Sequence, residues 1–261
     1  MPARPVHRFG TSDRLFKGAA SGTLDAIQPG DAVLFGLARS GDGSQAVRDA
    51  SWSGAPPAAT GRALDLGDAE AQAPHAARAI RARGGRPVLL GGSIGDAAAL
   101  LPPPGERATI LLISDRLDLD AGLLDSGPKL AFGTHDLLPA ASVARWRAAG
   151  GQIVEATGAA PFAERAAAAI RKAASTDSAA LILDLNAIDT GHAAGSDGLN
   201  VGGLSPLECL DLVRTLAAAF AIGTVAVVDL APERDPRGHA EMLAAEAIHL
   251  LLAPHAARAA A

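Results

Sequence analysis

Short apolar runs alternate with stretches of helical period along nearly the whole chain, and this alternation constrains the fold more than any other feature. Several of the runs are continuously apolar, as expected of strands that are covered on both faces. The predicted strands are 31–37, 62–65, 86–90, 108–114, 129–132, 152–156, 179–184 and 223–229.

The segments between these runs have the spacing and the end signals of helices. Ser205, Pro206 and Glu208 give one helix an N-cap serine, a first-turn proline and a capping-box glutamate. Gly85 and Gly151 each belong to a glycine pair that ends a helix. The predicted helices are 44–51, 71–83, 94–101, 137–149, 161–174, 206–219 and 240–252.

Alternation of this kind predicts a three-layer α/β/α fold around a mainly parallel sheet of about eight strands. The 261 residues contain no internal repeat and no change of composition that would mark a boundary. We therefore expect a single α/β domain over residues 1–261. Since only 3% of the residues are aromatic, alanine and the aliphatic residues must fill its interior.

Charge and hydropathy exclude several classes of partner. The net charge of −5, without any cluster of Lys or Arg, argues against a nucleic acid. The longest apolar stretch, 216–228, is interrupted by Gly223 and Thr224 and is too short to cross a membrane. The N-terminus lacks the apolar segment of a signal peptide, and Cys209 has no other cysteine to pair with. These features predict a cytoplasmic protein.

Four segments follow predicted strands at the edge where open α/β sheets bind their ligands. They are 91–95, 114–118, 184–189 and 229–235, and three of them carry several acidic residues. A metal site at this edge would need several oxygen or imidazole ligands that converge on one point. The sequence thus predicts a candidate site here, with a sparse ligand set.

The order and spacing of these segments resemble the ureohydrolase superfamily, which includes the arginases, agmatinases and formiminoglutamases. The most specific matches are the loop 202–208, Gly-Gly-Leu-Ser-Pro-Leu-Glu, and the spacing from Asp184 to Asp189. Segments 46–48 and 64–68 are similar to further parts of the family pattern. The resemblance implies an arginase-like fold, hydrolysis of a guanidino or amidino C–N bond by divalent metal ions such as manganese, and assembly into trimers or hexamers.

Carried over position by position, the family's six metal ligands are mostly replaced in this chain. Only Asp118 and Asp184 remain acidic, and Asp229 takes the place of the glutamate that contacts the substrate guanidinium. A guanidinium about 4 Å from a divalent ion costs on the order of 8 kcal/mol at an effective dielectric constant near 20. We therefore expect no binuclear metal cofactor. The six positions are Ile94, Ser114, Arg116, Asp118, Asp184 and Asn186.

Two functions follow from this comparison. In the first, the protein lacks metal and catalysis and acts as a structural or regulatory partner, as a homo-oligomer or beside an active paralogue. In the second, it is an active hydrolase with one divalent ion, manganese or another, held by Asp118, Asp184 and Asp189. There Asp229 would bind a small guanidino or amidino molecule, and Asp229, Asp189 and His192 are the candidate catalytic residues.

The conformation of Arg116 is left open by the sequence. Its planar fork suits carboxylate pairing, so it could hold Asp118 and Asp184, with Asp189 as a further partner. Alternatively, its side chain extends into solvent. His135 and His192 similarly could contact a ligand or lie on the surface.

Two other kinds of site find little support. Gly91, Gly92 and Gly95 follow a strand, and Asp115 lies about twenty residues further on, as in a dinucleotide site. The glycine spacing differs from that motif, however, and a tight strand-to-helix turn explains these residues better. Ser93 lacks the Gly-x-Ser-x-Gly setting of a nucleophilic serine.

Overall fold

The structure is a computed structural model. It describes residues 9–10, 14–37, 43–53, 61–69, 73–101, 108–117, 127–135, 138–173, 178–196, 198 and 200–252. Within these residues, no helix is both long enough and apolar enough to span a bilayer.

Ten strands of the described chain form one sheet. The eight predicted strands are all confirmed, as β3 to β10, and they are parallel to one another. Two strands of two residues each were not predicted; β1 runs antiparallel to β4, and β2 runs parallel to it. The strands are β1 (Phe9–Gly10), β2 (Ala20–Ser21), β3 (Ala32–Leu37), β4 (Ala63–Ala69), β5 (Arg86–Leu90), β6 (Ala108–Ile113), β7 (Lys129–Thr134), β8 (Gly151–Glu155), β9 (Ser178–Asp184) and β10 (Ala221–Val228).

All seven predicted helices are also confirmed, most of them shorter than predicted by a few residues. The sequence did not predict three short 3-10 turns, Leu24–Ala26, Leu185–Ala187 and Pro232–Arg234. The helices are α1 (Gly43–Ala50), α2 (Ala73–Arg81), α3 (Ile94–Ala98), α4 (Ala140–Ala148), α5 (Phe162–Ala173), α6 (Pro206–Ala219) and α7 (His239–Leu252).

The helices cover both faces of the sheet, which gives the three predicted layers. Along β9, Leu181 and Leu183 face one core cluster, whereas Ile182 between them faces the other. The first cluster also contains side chains of α1, α5, α6 and α7, and the second contains side chains of α2, α3 and α4. Because successive strand residues point to opposite faces, continuously apolar strands are what this arrangement requires.

An ion-pair network in which Arg48 and Asp65 are fully buried and Asp68 is partly exposed joins α1 to β4. Arg48 donates from Nε to Asp65 Oδ2 at 2.9 Å and from Nη1 to Asp68 Oδ1 at 2.8 Å. The Asp65 carboxylate also accepts the backbone N–H groups of Phe16 and Gly67. A buried charge pair is tolerated when additional hydrogen bonds satisfy its remaining polar atoms, as they do here.

The sheet order brings the four predicted site segments together. The strands lie in the order β1-β4-β3-β5-β10-β9-β6-β7-β8, so β5, β10, β9 and β6 are consecutive neighbours. In this register Val228 is paired with Asp184, and Ile113 is paired with Leu183. The residues that follow these parallel strands therefore share one edge of the sheet.

Candidate functional site

Asp184 is the innermost acidic residue at this edge. It ends β9, is completely buried, and caps the 3-10 turn Leu185–Ala187 by accepting the Asn186 N–H at 2.8 Å. Its other oxygen accepts a 2.6 Å hydrogen bond from the Ser114 hydroxyl, which follows β6. An aspartate that leaves a strand directly into a helical turn can act as an N-cap, which explains the local geometry.

Burial sets the protonation of Asp184. Burial, together with the negative charge of Asp229, raises the pKa of Asp184 to about 7, although hydrogen bonds from Ser114 and Asn186 and the charge of Arg116 favour the carboxylate. Desolvation disfavours the charged form, and a neighbouring carboxylate acts in the same direction. Asp184 therefore changes protonation near neutral pH.

Arg116 lies among three aspartates. Its Nε is 3.3 Å from Asp115 Oδ1 and 3.6 Å from Asp184 Oδ2, and its Nη2 is 3.8 Å from Asp229 Oδ2. Burial by itself lowers the pKa of Arg116, but the charges of Asp184, Asp115 and Asp229 outweigh it, so the net shift is upward. We call Arg116 with these three aspartates the Arg116 cluster.

Arg116 contacts carboxylates, which was one of the two alternatives in the sequence analysis. Its partners differ from the predicted set. The contact with Asp184 was anticipated, whereas Asp115 and Asp229 take the place that Asp189 was expected to fill. Asp118 lies outside the described residues. The Arg116 side chain is 39% exposed, so it lies between the buried Asp184 and the solvent.

Asp229 has an unusual backbone conformation directly after β10. Its φ is 59°, and it is the one non-glycine residue with positive φ in the part of the chain that the structure describes. Its N–H donates to the Gly92 carbonyl at 2.9 Å, which ties the end of β10 to the loop after β5. Aspartate is among the few residues that tolerate this region, at a cost of roughly 1–2 kcal/mol. The candidate substrate-binding residue is thus held in place by its backbone.

The glycine-rich segment after β5 serves as a tight turn. Gly91 and Gly92 have φ of 73° and 86°, and a Cβ on Gly91 would lie 3.1 Å from the Ser44 backbone nitrogen. Ser93 and Asp96 then form a capping box at the start of α3. These contacts match the turn interpretation of the sequence analysis.

Asp189 and His192 belong to a loop beside the Arg116 cluster. The Asp189 carboxylate accepts the N–H groups of Gly202 at 2.6 Å and Gly191 at 2.7 Å. These hydrogen bonds, that of Gly202 first, lower the pKa of Asp189. The His192 side chain is exposed, and the His192 backbone N–H donates to the Asp189 backbone carbonyl. Asp189 therefore organises the loop, whose turn also holds His192.

Asn200 is a residue of this loop that sequence reasoning missed. Its Nδ2 donates to the buried Asn186 carbonyl at 2.6 Å, and its Oδ1 pairs with His135 Nε2. A Cβ on Gly203 would lie 2.5 Å from that Nδ2, which explains the glycine in the 202–208 match. The position of Asn200 two residues before the glycine pair 202–203 was the available signal.

The described side chains at this edge do not fit a pair of divalent ions. Among them, no group of three or more His, Cys, Asp or Glu residues is placed to hold a metal. Asn186 already uses its Oδ1 to accept the Gly198 N–H at 2.6 Å, and its remaining side-chain group is an NH₂ donor. Ile94 offers no donor atom, and the cation of Arg116 lies between Asp184 and Asp229. A metal pair requires several ligand atoms with lone pairs that converge on it, and neither Ile94 nor the Arg116 guanidinium supplies one.

Solved structures share this fold over most of their length. A hypothetical agmatinase from Burkholderia thailandensis aligns with a TM-score of 0.71 and 20% identity, over 86% of this chain and 85% of its own. Proclavaminate amidino hydrolase from Streptomyces clavuligerus aligns with a TM-score of 0.77 and 17% sequence identity, over 93% of this chain and 96% of its own. Arginase from Bacillus cereus aligns with a TM-score of 0.68 and 17% sequence identity, over 86% of this chain and 99% of its own. At these identities the similarity establishes an arginase-like α/β fold.

A family model makes the assignment specific. The model of the arginase family matches residues 120–253, which are 134 of the 261 residues and so just over half of the chain. The chain belongs to the arginase family. No curated protein sequence matches it.

Proposed function

We propose that this protein is a metal-independent member of the arginase family that does not hydrolyse guanidino compounds and acts as a structural or regulatory partner. The contact of Arg116 with Asp184 and Asp229, at 3.6 and 3.8 Å, carries the proposal. These distances mean that a cation of the protein itself already pairs with both carboxylates. No metal cofactor is then required at this edge of the sheet.

The energetics support the proposal. A divalent ion about 4 Å from the Arg116 guanidinium would be repelled by on the order of 8 kcal/mol at an effective dielectric constant near 20. Binding would therefore require Arg116 to leave. Asp184 is also a weak anionic ligand near neutral pH, since its pKa lies at about 7.

A partner role needs a surface, and one candidate lies beside the loop that contains Asp189. Val201 is 86% exposed and Leu207 is 67% exposed, the two largest exposures among the large apolar side chains that the structure describes. Leu207 lines a groove of about 140 Å³ between α5 and α6, together with Phe162 and Ile170. Self-association as a trimer or hexamer, or pairing with an active paralogue, would cover these side chains. We place this assembly in the cytoplasm.

Metal analysis combined with an activity assay tests the proposal. Protein from manganese- or nickel-supplemented medium is measured for metal content and for urea or ammonia release from arginine and agmatine. We expect substoichiometric metal and no release. Stoichiometric metal with release would instead support the single-metal hydrolase that uses Asp118, Asp184 and Asp189, with Asp229 as the substrate contact.

A ligand-restored variant provides the matched control. Ile94→His, Ser114→Asp, Arg116→His and Asn186→Asp together restore the family ligand types at the four replaced positions. This variant should bind more metal than the wild-type protein under the same conditions. Equal metal content in both proteins would show that these four residues do not decide metal binding, and the structural reason given for metal independence would be wrong.

A further inference from the structure

Helices α5 and α6 lie side by side, with the groove of about 140 Å³ between them. Both run in the same direction, because each leads from the end of one parallel strand to the start of the next. Phe162 and Leu207 line the groove near the start of each helix, and Ile170 and Thr215 line it eight residues further on. The lining thus begins and ends at equivalent positions of the two helices.

The outer side of α6 carries a row of four exposed residues whose order is self-complementary. Leu207, Asp211, Arg214 and Ala218 are spaced by four, three and four residues, so they lie on one side of the helix. Reversal of this row exchanges Asp211 with Arg214 and Leu207 with Ala218. A second α6 laid antiparallel on the row therefore places each aspartate opposite an arginine and each leucine opposite an alanine.

The outer side of α5 has the same property. Glu164, Ala168 and Arg171 are exposed and are spaced by four and three residues, and reversal exchanges Glu164 with Arg171. This row is centred between residues 167 and 168, and the row on α6 is centred between residues 212 and 213. Each centre lies between five and six residues after the first lining residue of its helix, 162 or 207. One two-fold axis can therefore serve both helices.

The charges on the two helices favour the antiparallel orientation. Acidic residues lie in the first half of each helix and basic residues in the second half; they are Glu164, Glu208 and Asp211, and Arg171, Lys172 and Arg214. A second copy placed parallel would oppose like charges, whereas an antiparallel copy opposes unlike charges and unlike helix ends. Arg165, in the first half of α5, donates instead to the backbone carbonyls of Glu155 and Ala160.

The exposed side chains can form such a contact without exposing a buried charge. Asp211 and Arg214 of one copy already pair with each other, and both are more than half exposed. Around a two-fold axis, these groups from two copies would join into one network of two carboxylates and two guanidinium groups. Leu207 adds apolar area that is now in water, and the alanines let the two surfaces approach closely.

We propose that α5 and α6 form the contact of a two-fold homodimer, in which a second copy of this chain packs antiparallel on the same face. Asp211 of each copy pairs with Arg214 of the other, Glu164 pairs with Arg171, and Leu207 packs on Ala218. In a two-fold contact, residue i meets residue j and j meets i, which is the pattern of both rows. The inference rests on the partner role in the proposed function, and it names the partner as the chain itself.

Sedimentation velocity of the full chain tests the contact. The wild-type protein should sediment as a dimer, or as a larger assembly with an even number of copies. Leu207→Glu should halve that mass, because it puts a charge into the apolar part of the contact. Asp25→Arg, which reverses an exposed charge elsewhere on the surface, should leave the mass unchanged. A wild-type monomer or trimer overturns the inference, as does a mass that Leu207→Glu leaves unchanged.

A charge exchange on α5 tests the orientation independently of folding. Glu164→Arg and Arg171→Glu should each weaken the contact at least about tenfold, a factor that corresponds to 1.4 kcal/mol, because each opposes like charges. An equimolar mixture of the two variants should recover the wild-type mass, since every charge then meets an unlike one. A folding defect could not be repaired by mixing. Unweakened single variants, or a mixture without recovery, overturn the antiparallel contact.

The proposed function is tested by different measurements. A protein that binds metal and releases urea, but loses half its mass in Leu207→Glu, would reject the proposed function and keep the two-fold contact. A metal-free and inactive monomer would reject the contact and keep metal independence. The two failures are therefore distinguishable.

Discussion

Arg48 and Arg116 both pair with several aspartates of the same parallel sheet or its edge, yet their surroundings differ. The Arg48 side chain is completely buried and makes hydrogen bonds of 2.8–3.1 Å to Asp65 and Asp68. The Arg116 side chain is 39% exposed, and its ion-pair distances are 3.3–3.8 Å. The Arg48 network is largely buried and has short hydrogen bonds, whereas the Arg116 cluster is more exposed and has longer contacts.

This difference in burial indicates which of the two networks stabilises the fold and which is free to take part in binding. A buried ion pair with short hydrogen bonds cannot lose one partner without stranding a charge in the core. A half-exposed pair with longer contacts is weakened by water, and an exchange of its cation costs little. We therefore assign the Arg48 network to the fold and the Arg116 cluster to the site.

The largest expected effect is the loss of Arg48. Arg48→Ala should lower the free energy of unfolding by about 3–5 kcal/mol, because Asp65 would remain buried without its counter-charge. Urea unfolding measures this loss. Arg48→Met combined with Asp65→Asn should lose less than Arg48→Ala alone. A loss smaller than that of Arg116→Ala would contradict the comparison.

A smaller effect is expected from crowding the same network. In Gly36→Ala the new Cβ would lie 2.5 Å from Ser44 Cβ and would also clash with the Asp68 carboxylate. Overpacking of this kind costs typically 1–3 kcal/mol. Gly43→Ala is the matched control, since its Cβ would meet Leu230 at an ordinary 3.6 Å. Equal melting temperatures for the two variants would contradict a tightly packed Arg48 network.

The Arg116 cluster should show a pH dependence centred on Asp184. Its pKa is raised from 3.8 to about 7 in the folded protein, so the folded state binds this proton more tightly than the unfolded state. The corresponding stability is present at acid pH and is lost as pH rises from about 4 to 7. Asp184→Asn should remove this part of the profile; an unchanged profile would reject the assignment.

The smallest effect is expected for Arg116→Ala. Because the side chain is 39% exposed and Asp184 can take up a proton, the loss at pH 7 should be about 1 kcal/mol. It should grow at higher pH, where Asp184 is charged in the unfolded and the folded protein alike. Urea unfolding at two pH values checks this. A loss as large as that of Arg48→Ala would make the two networks equivalent.

Much of the fold followed from local pattern. The eight long strands and all seven helices were predicted because apolar period and capping signals are properties of neighbouring residues, as at Ser205 and Glu208. The strands Phe9–Gly10 and Ala20–Ser21 were missed because two residues carry no period. The turn after Asp184 was missed as well, since a single N-cap aspartate between a strand and a loop gives a weak signal.

The sequence predicted which residues lie at the site better than it predicted which of them contact one another. Asp184 and Asp229 follow strand ends, so the sheet rule placed both at the same edge. Asp189 was expected with them, but its carboxylate bonds the loop N–H groups of Gly191 and Gly202 instead. Such choices depend on distances between groups far apart in the chain, which the sequence does not state.

The sequence by itself determined the layers and the strand edge that bears the acidic residues, because residue type and local period suffice for these. Only the tertiary structure decided that the Arg116 guanidinium lies between Asp184 and Asp229. That contact depends on β9 and β10 being neighbours, and neighbouring strands are set by the packing of the whole sheet.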